Sequence, residues 1–143
     1  MTPEQLDLVR TSYAALGERR TAMAADFYRR LFASDPTTEE LFTAGPDVMS
    51  EMFSTELAAI VDAISSFDVV APRLHDLASR HAGYGVQVRH YRLVGDALLA
   101  ALAAALAPAW DDELEAAWRR AYDLVAEVMM GAMAQGGDGA REA

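Results

Sequence analysis

From Asp47 onward, Met49, Met52, Phe53, Leu57, Ile60, Val61 and Ile64 recur at the three- and four-residue intervals of one buried helical stripe. A strand alternates its faces every second residue, so this spacing admits a helix and excludes a half-buried strand. The interval returns along the whole chain: Leu6, Val9, Tyr13 and Leu16; Met23, Phe27, Leu31 and Phe32; Tyr91, Val94, Leu98 and Leu102; Leu114, Trp118, Tyr122, Val125 and Met129. Breaks fall between these runs at Gly17, Pro36, Gly45–Pro46, "SSFD" and Pro108. One more helix, of roughly 12 residues, ends at His81, with Gly83 and Gly85 marking the loop after it. Thr2–Pro3–Glu4–Gln5 supplies a cap, a first-turn proline and an acid for the first helix. With the short "PTTEELF" segment, the expectation is an all-α fold of about seven helices. The segments are too many and too unequal for a simple four-helix bundle. Residues 1–133 form one domain on this reading, and 134–143, with its Gly-rich "QGGDGAREA", form a flexible C-terminal tail.

The composition removes several function classes. The net charge of −10 repels nucleic acid phosphates and anionic lipid, and no basic stripe offsets it. The "RR" pairs at 19–20, 29–30 and 119–120 read as solvated helix faces. The longest apolar stretch, "LLAALAAALAPAW", closes at Pro108, well short of the ~18 apolar residues of a membrane span. The start "MTPEQLDL" has neither a basic segment nor an apolar signal core. The chain has no cysteine, which excludes disulfides, thiolate metal sites and a cysteine nucleophile and fits a cytoplasmic setting. No nucleic acid and no membrane are expected as partners.

Enzyme signatures are equally sparse. There is no Gly-rich phosphate loop, no G-x-S-x-G, no H-E-x-x-H and no Glu-x-x-His pair for a di-iron bundle. Asp111, Asp112, Glu113 and Glu115 gather where a helix begins, which favours the positive end of its dipole. Three dispersed histidines do not make a zinc site. His75 and His81, six residues apart on one helix, project about 120° apart and cannot meet at one metal. His90 follows Arg89 in what reads as a solvent-facing first turn. His81 continues the apolar face of Leu74, Leu77 and Ala78 at a helix end. A lone histidine there is either a structural core residue or a neutral imidazole suited to binding haem iron.

In order and at matching intervals, "YRRLFASDP" followed by "LF", then "RHAGYGVQVRHYRLVGDALL", then "AWRRAY" resemble a bacterial globin. The resemblance runs from about Thr2 to Met130 and is nearest to the haem domains of flavohaemoglobins and the single-domain globins related to them; neuroglobins are similar too. It implies a haem b cofactor whose iron is held by His81 as the proximal ligand. Phe42 corresponds to the phenylalanine that packs on the haem. Val86 and Val94 touch the porphyrin on the proximal side, and Tyr91 stands beside the proximal imidazole. On the distal side the resemblance puts Tyr28, Met49, where the family usually has glutamine or histidine, and Phe53 one turn later. Phe42, Phe53 and Tyr28 read equally as aromatic core residues by spacing alone.

Three departures from the resemblance bear on function. The chain shows no flavin or NAD domain, so dioxygenase turnover would need an external reductase. The glutamate that flavohaemoglobins carry on the last helix, near the proximal histidine and tyrosine, is expected at Met133, which leaves the histidine without a carboxylate partner. Met49 accepts hydrogen bonds weakly and donates none, which leaves distal hydrogen bonding to Tyr28 or makes Met49 itself a sixth ligand. The implied function is reversible binding of O₂, NO or CO. The alternatives are a nitric oxide dioxygenase or peroxidase-like enzyme with a borrowed reductase, a gas or redox sensor, and a haem-free structural globin.

Overall fold

The computed structural model describes the backbone of residues 1–142 and the side chains of residues 1–134. Past Ala134, the tail expected at 134–143 lies outside the residues with described side chains. Six α-helices follow one another: α1 (Pro3–Leu16), α2 (Arg20–Ser34), α3 (Pro46–Ala63), α4 (Phe67–Gly83), α5 (Val88–Leu106) and α6 (Asp112–Glu142). Two 3₁₀ turns, Gly17–Arg19 and Pro36–Leu41, make the corners on either side of α2. The seventh segment expected from "PTTEELF" is the second of these turns. Pro36 sets its start and Asp35 caps it by accepting from the Thr37 amide at 3.0 Å.

The helix starts follow local chemistry. Thr2 and Gln5 close a reciprocal capping box at 3.1 and 3.0 Å. Pro46 occupies the first turn of α3, where its missing N–H costs nothing. Asp111 accepts from the Leu114 amide at 2.8 Å, and Asp112, Glu113 and Glu115 fill the first turn of α6. Gly17 has φ +52° and nothing within 4 Å of its missing Cβ, so it turns the chain out of α1 where a larger residue would be strained. The helix ending near His81 is longer than expected. It begins at Phe67, so the second half of "SSFD" already belongs to it, and Pro72 lies inside it, where it removes one backbone donor.

α2 packs chiefly on α5 and α3, α1 on α6, and α4 on α6. These contacts build two apolar clusters. The larger joins α1, α2, α3, α5 and α6 through Val9, Phe27, Leu31, Val61, Leu102 and Trp118. The smaller joins α4 to Ile60 of α3, Tyr91 of α5 and Met129 of α6 through Val70, Leu74 and Leu77. Polar groups inside the larger cluster are satisfied: the Trp118 indole donates to Ser12 Oγ at 2.9 Å, and the Tyr13 hydroxyl donates to the Ser54 carbonyl at 2.8 Å.

One close approach brings α5 and α6 together. A Cβ on Gly95 would lie 2.6 Å from the Tyr122 ring, whose hydroxyl donates to the Tyr91 carbonyl one turn away. The ring cannot withdraw without abandoning that bond. Gly95→Ala should therefore destabilise the chain by about 1–3 kcal/mol, read as a shift of the urea midpoint at unchanged slope. An unchanged midpoint would mean that the two helices slide apart freely here.

Candidate haem cleft

Between the two apolar clusters lies a cleft holding about 850 Å³ of empty space, its open mouth included. α3 and its C-cap line it with Phe53, Leu57, Ile60, Val61 and Ile64, the later part of the stripe that the sequence predicts as buried; Met52 of the same stripe is 62 % exposed. α4 contributes Leu77 and His81, α5 contributes His90, Tyr91, Val94 and Leu98, and α6 contributes Tyr122, Val125 and Met129. Val86 comes from the loop between α4 and α5. The wall is almost wholly apolar.

His81 follows from the pattern of α4. Val70, Leu74 and Leu77 are buried at spacings of four and three, and His81 is the next position on that face. Its Nδ1 lies 2.8 Å from the Leu77 carbonyl. A carbonyl only accepts, so Nδ1 must carry the proton and Nε2 keeps its lone pair. Nε2 has no hydrogen-bond partner among the described residues. Burial pushes the His81 pKa below its ordinary value; Arg80 lowers it further, while the Leu77 bond and Glu56 oppose the shift. The result is a neutral imidazole with an unused basic nitrogen in an apolar cleft, the donor a metal asks for. The ion pair Arg73–Glu56, at 3.1 Å, ties α4 to α3 across the outside.

His90 is not the solvent-facing residue that its position after Arg89 predicts. It is 5 % exposed and lines the cleft. Its Nδ1 accepts from the Gln87 amide at 2.8 Å, closing a capping box at the start of α5. Burial lowers its pKa as well. Arg89 instead turns outward to Asp35 at 3.1 Å. The two histidines therefore differ in kind: His90 uses its acceptor nitrogen locally, and His81 keeps its own free.

Tyr91 donates its hydroxyl to the sulfur of Met133 at 3.1 Å. Met133 thus stands where the sequence places it, beside Tyr91, and brings a thioether instead of a carboxylate. On the other side, Phe53 stacks on Phe27 at 4.4 Å between centroids and meets the edge of Tyr28 at 5.7 Å. Tyr28 in turn touches Phe42 at 5.2 Å and Phe32 at 5.9 Å. The Tyr28 hydroxyl has no hydrogen-bond partner among the described residues, and burial pushes its pKa up to about 12.

Of the residues expected at the site, Phe53, His81, Val86, Tyr91 and Val94 share the cleft wall. Tyr28 and Phe42 do not line it; they join it through the ring of Phe53. Met49 is buried one helical turn before Phe53 but lies in neither apolar cluster and off the cleft wall. Sequence reasoning missed His90, Val125 and Met129 as wall residues. For His90 a signal existed: Gln87 and His90 stand three apart across a helix start, the spacing of a capping box. For Val125 and Met129 only the buried stripe was readable.

A haem fits these residues. The cleft offers apolar walls on opposite sides, from α3 and from α5 with Val86, and one imidazole whose only unengaged nitrogen is unprotonated. Among the described residues no cluster of histidine and carboxylates competes as a metal site. No helix among them is long and apolar enough to cross a membrane.

Comparison with known proteins agrees with this geometry. The globin family profile matches residues 25–129. A flavohemoprotein of Bordetella parapertussis is 31% identical over 134 residues, covering 92% of this chain and 33% of its own length. The chain thus spans about a third of the length of such relatives. A globin-like protein of Aquifex aeolicus is 26% identical and is matched over 92% of its length. An engineered carbene transferase made from a putative nitric oxide dioxygenase of Rhodothermus marinus superposes with a TM-score of 0.89 at 30% identity, covering 99% of both chains. A globin of Campylobacter jejuni shares the fold at a TM-score of 0.85 and 21% identity, over 96% of this chain and 99% of its own. An all-helical fold around an apolar cleft, with a single uncommitted imidazole in its wall, is accounted for by descent: the chain belongs to the globin family.

Proposed function

We propose that this globin is a haem b protein that reversibly binds O₂ or another diatomic gas, NO or CO, with His81 as the proximal ligand. The observation that carries the reading is the fixed tautomer of His81. The Leu77 carbonyl takes the Nδ1 proton and leaves the Nε2 lone pair in an otherwise apolar cleft. Haem supplies an iron centre at which a small neutral ligand coordinates and leaves. The chain does the rest. His81 orients along the axis set by α4. Val86 and Val94 press on one side of the cleft, and Phe53, backed by Phe27, presses on the other. With no cysteine available for a thioether linkage, packing and the His81 imidazole would hold the cofactor. Phe42 extends the aromatic wall through Tyr28, and Tyr28 brings an unspent hydroxyl donor to the distal side. Met49 cannot donate a hydrogen bond and lies off the cleft wall, which leaves Tyr28 as the donor on that side. The absence of cysteine fits a cytoplasmic setting.

A second reading, a nitric oxide dioxygenase served by an external reductase, draws on the likeness to flavohemoproteins and to the Rhodothermus protein. The Tyr91–Met133 contact favours the first reading, because among the described residues a thioether and not a carboxylate meets the Tyr91 hydroxyl. Visible spectra of the purified chain in ferric, ferrous and CO-bound states test the proposal. A strong near-ultraviolet haem band that shifts on reduction and again with CO is expected. A chain that takes up no added haem contradicts the reading. Consumption of NO with added reductase, many turnovers per haem, would move the function to the second.

A further inference from the structure

The cleft shares a wall with a second cavity. An open groove runs between α1 and α3, with about 1130 Å³ of empty space including its mouth. Small residues, Ala14, Ala58 and Ala59, line it, and Asp7 and Asp62 with Arg10 and Arg20 bring charges of both signs. Val61 lines both spaces and is 6 % exposed. The aromatic side chain of the groove, Tyr13, is fixed from two sides. Its hydroxyl donates to the Ser54 carbonyl at 2.8 Å, and the Arg20 guanidinium lies 4.6 Å from its ring centroid. Val61 has no such tether. It is an apolar side chain held only by packing, so it is the part of the shared wall that yields most readily.

We propose that the groove between α1 and α3 is a second entrance to the cleft for small neutral gas molecules, with Val61 as its gate; this rests on the gas-binding reading above. A valine in a helix holds one dominant χ1 rotamer, so the wall is closed on average and opens by rotation or by slight parting of the helices. Such motions occur far faster than ligand exchange. The passage admits molecules of two or three atoms and excludes anything the size of the cofactor. Charges of both signs beside it give no preference to an ion of either sign. The alanines matter for the same reason. A larger side chain at 58 or 59 would fill the groove from outside without touching the haem cleft, since neither position lines it.

The test is CO recombination after flash photolysis of the haem-loaded chain, paired with xenon as a probe of the haem-free chain. Val61→Ala should raise the bimolecular CO association rate by about threefold or more, the effect of lowering the barrier by roughly 0.65 kcal/mol. Ala59→Trp, at a position that does not line the cleft, should lower that rate with the haem spectrum unchanged. Xenon under pressure should shift the methyl resonances of Val61 and Ala58 in the unaltered chain. Unchanged CO association in both variants with intact haem spectra would overturn the entrance, as would xenon that leaves the Val61 methyls unmoved. A chain that binds no haem would sink the gas-binding reading by itself. The xenon shifts at Val61 would then still decide whether gas reaches this wall.

Discussion

His81→Gly should strip the chain of most of its haem, and added imidazole should bring the haem band back. The side chain leaves a cavity at the end of α4 whose remaining walls, Leu77 and Val86, are apolar and offer no replacement ligand. Free imidazole can enter that space and present the same nitrogen. The effect is large because the axial bond and the packing act together. A ligand that binds only the native state stabilises it by about 2.7 kcal/mol at a hundredfold excess over Kd. For a chain of this size that corresponds to a rise in Tm of about 5–10 °C on adding haem to the unaltered protein. The rise should nearly vanish in His81→Gly. His90→Ala should keep the haem band and lose about 1 kcal/mol of stability, because it removes the cap on the Gln87 amide and no iron ligand. Thermal melts with and without haem separate the two. An undiminished haem-induced rise in His81→Gly, or its loss in His90→Ala, would reverse the roles assigned here.

Tyr28→Phe should release O₂ about ten to a hundred times faster while CO dissociation changes little. Bound O₂ carries partial negative charge and CO much less, so a hydrogen-bond donor discriminates between them. Tyr28 is the candidate because its ring packs among Phe27, Phe32, Phe42 and Phe53 and its hydroxyl has no partner among the described residues. Its pKa, pushed up to about 12 by burial, keeps it protonated and able to donate. A donor–acceptor bond of this kind contributes about 1–3 kcal/mol, and each 1.4 kcal/mol is tenfold in rate or equilibrium. Met49→Leu should change O₂ release less, since a thioether gives no proton. Stopped-flow release of O₂ from both variants decides the matter. An unchanged rate in Tyr28→Phe would mean that the hydroxyl faces elsewhere.

Much of the fold was legible because helices declare themselves by period. The α3 stripe from Phe53 to Ile64 was readable as a buried face, and it is the wall of the cleft. What period does not tell is which surface a face meets. Val125 and Met129 carry the same kind of stripe, and only the packing of α6 on α4 and α5 brings them to the cofactor cleft. His81 stood out because a titratable group continued an apolar face; the bond from its Nδ1 to Leu77, which decides its chemistry, is an i to i−4 contact that becomes evident once the helix is known to reach Gly83. His90 was misplaced for the opposite reason. Its neighbour Arg89 is exposed, and the first turn of a helix usually is, but the capping box folds the imidazole inward. Met133 was found by counting turns from Tyr122, which works only because α6 runs unbroken between them. The offset between Tyr28 and the cleft was not readable at all, since it depends on the angle at which α2 crosses α3 behind Phe53.

The central claim is that His81 Nε2 is the axial donor. Resonance Raman spectroscopy of the ferrous, ligand-free, haem-loaded chain, prepared with ordinary and with heavy-nitrogen histidine, reads that bond itself. An iron–imidazole stretching band that shifts with the label and is missing from His81→Gly is the expected result. A label-sensitive band that survives in His81→Gly, or none in the unaltered chain, would contradict it.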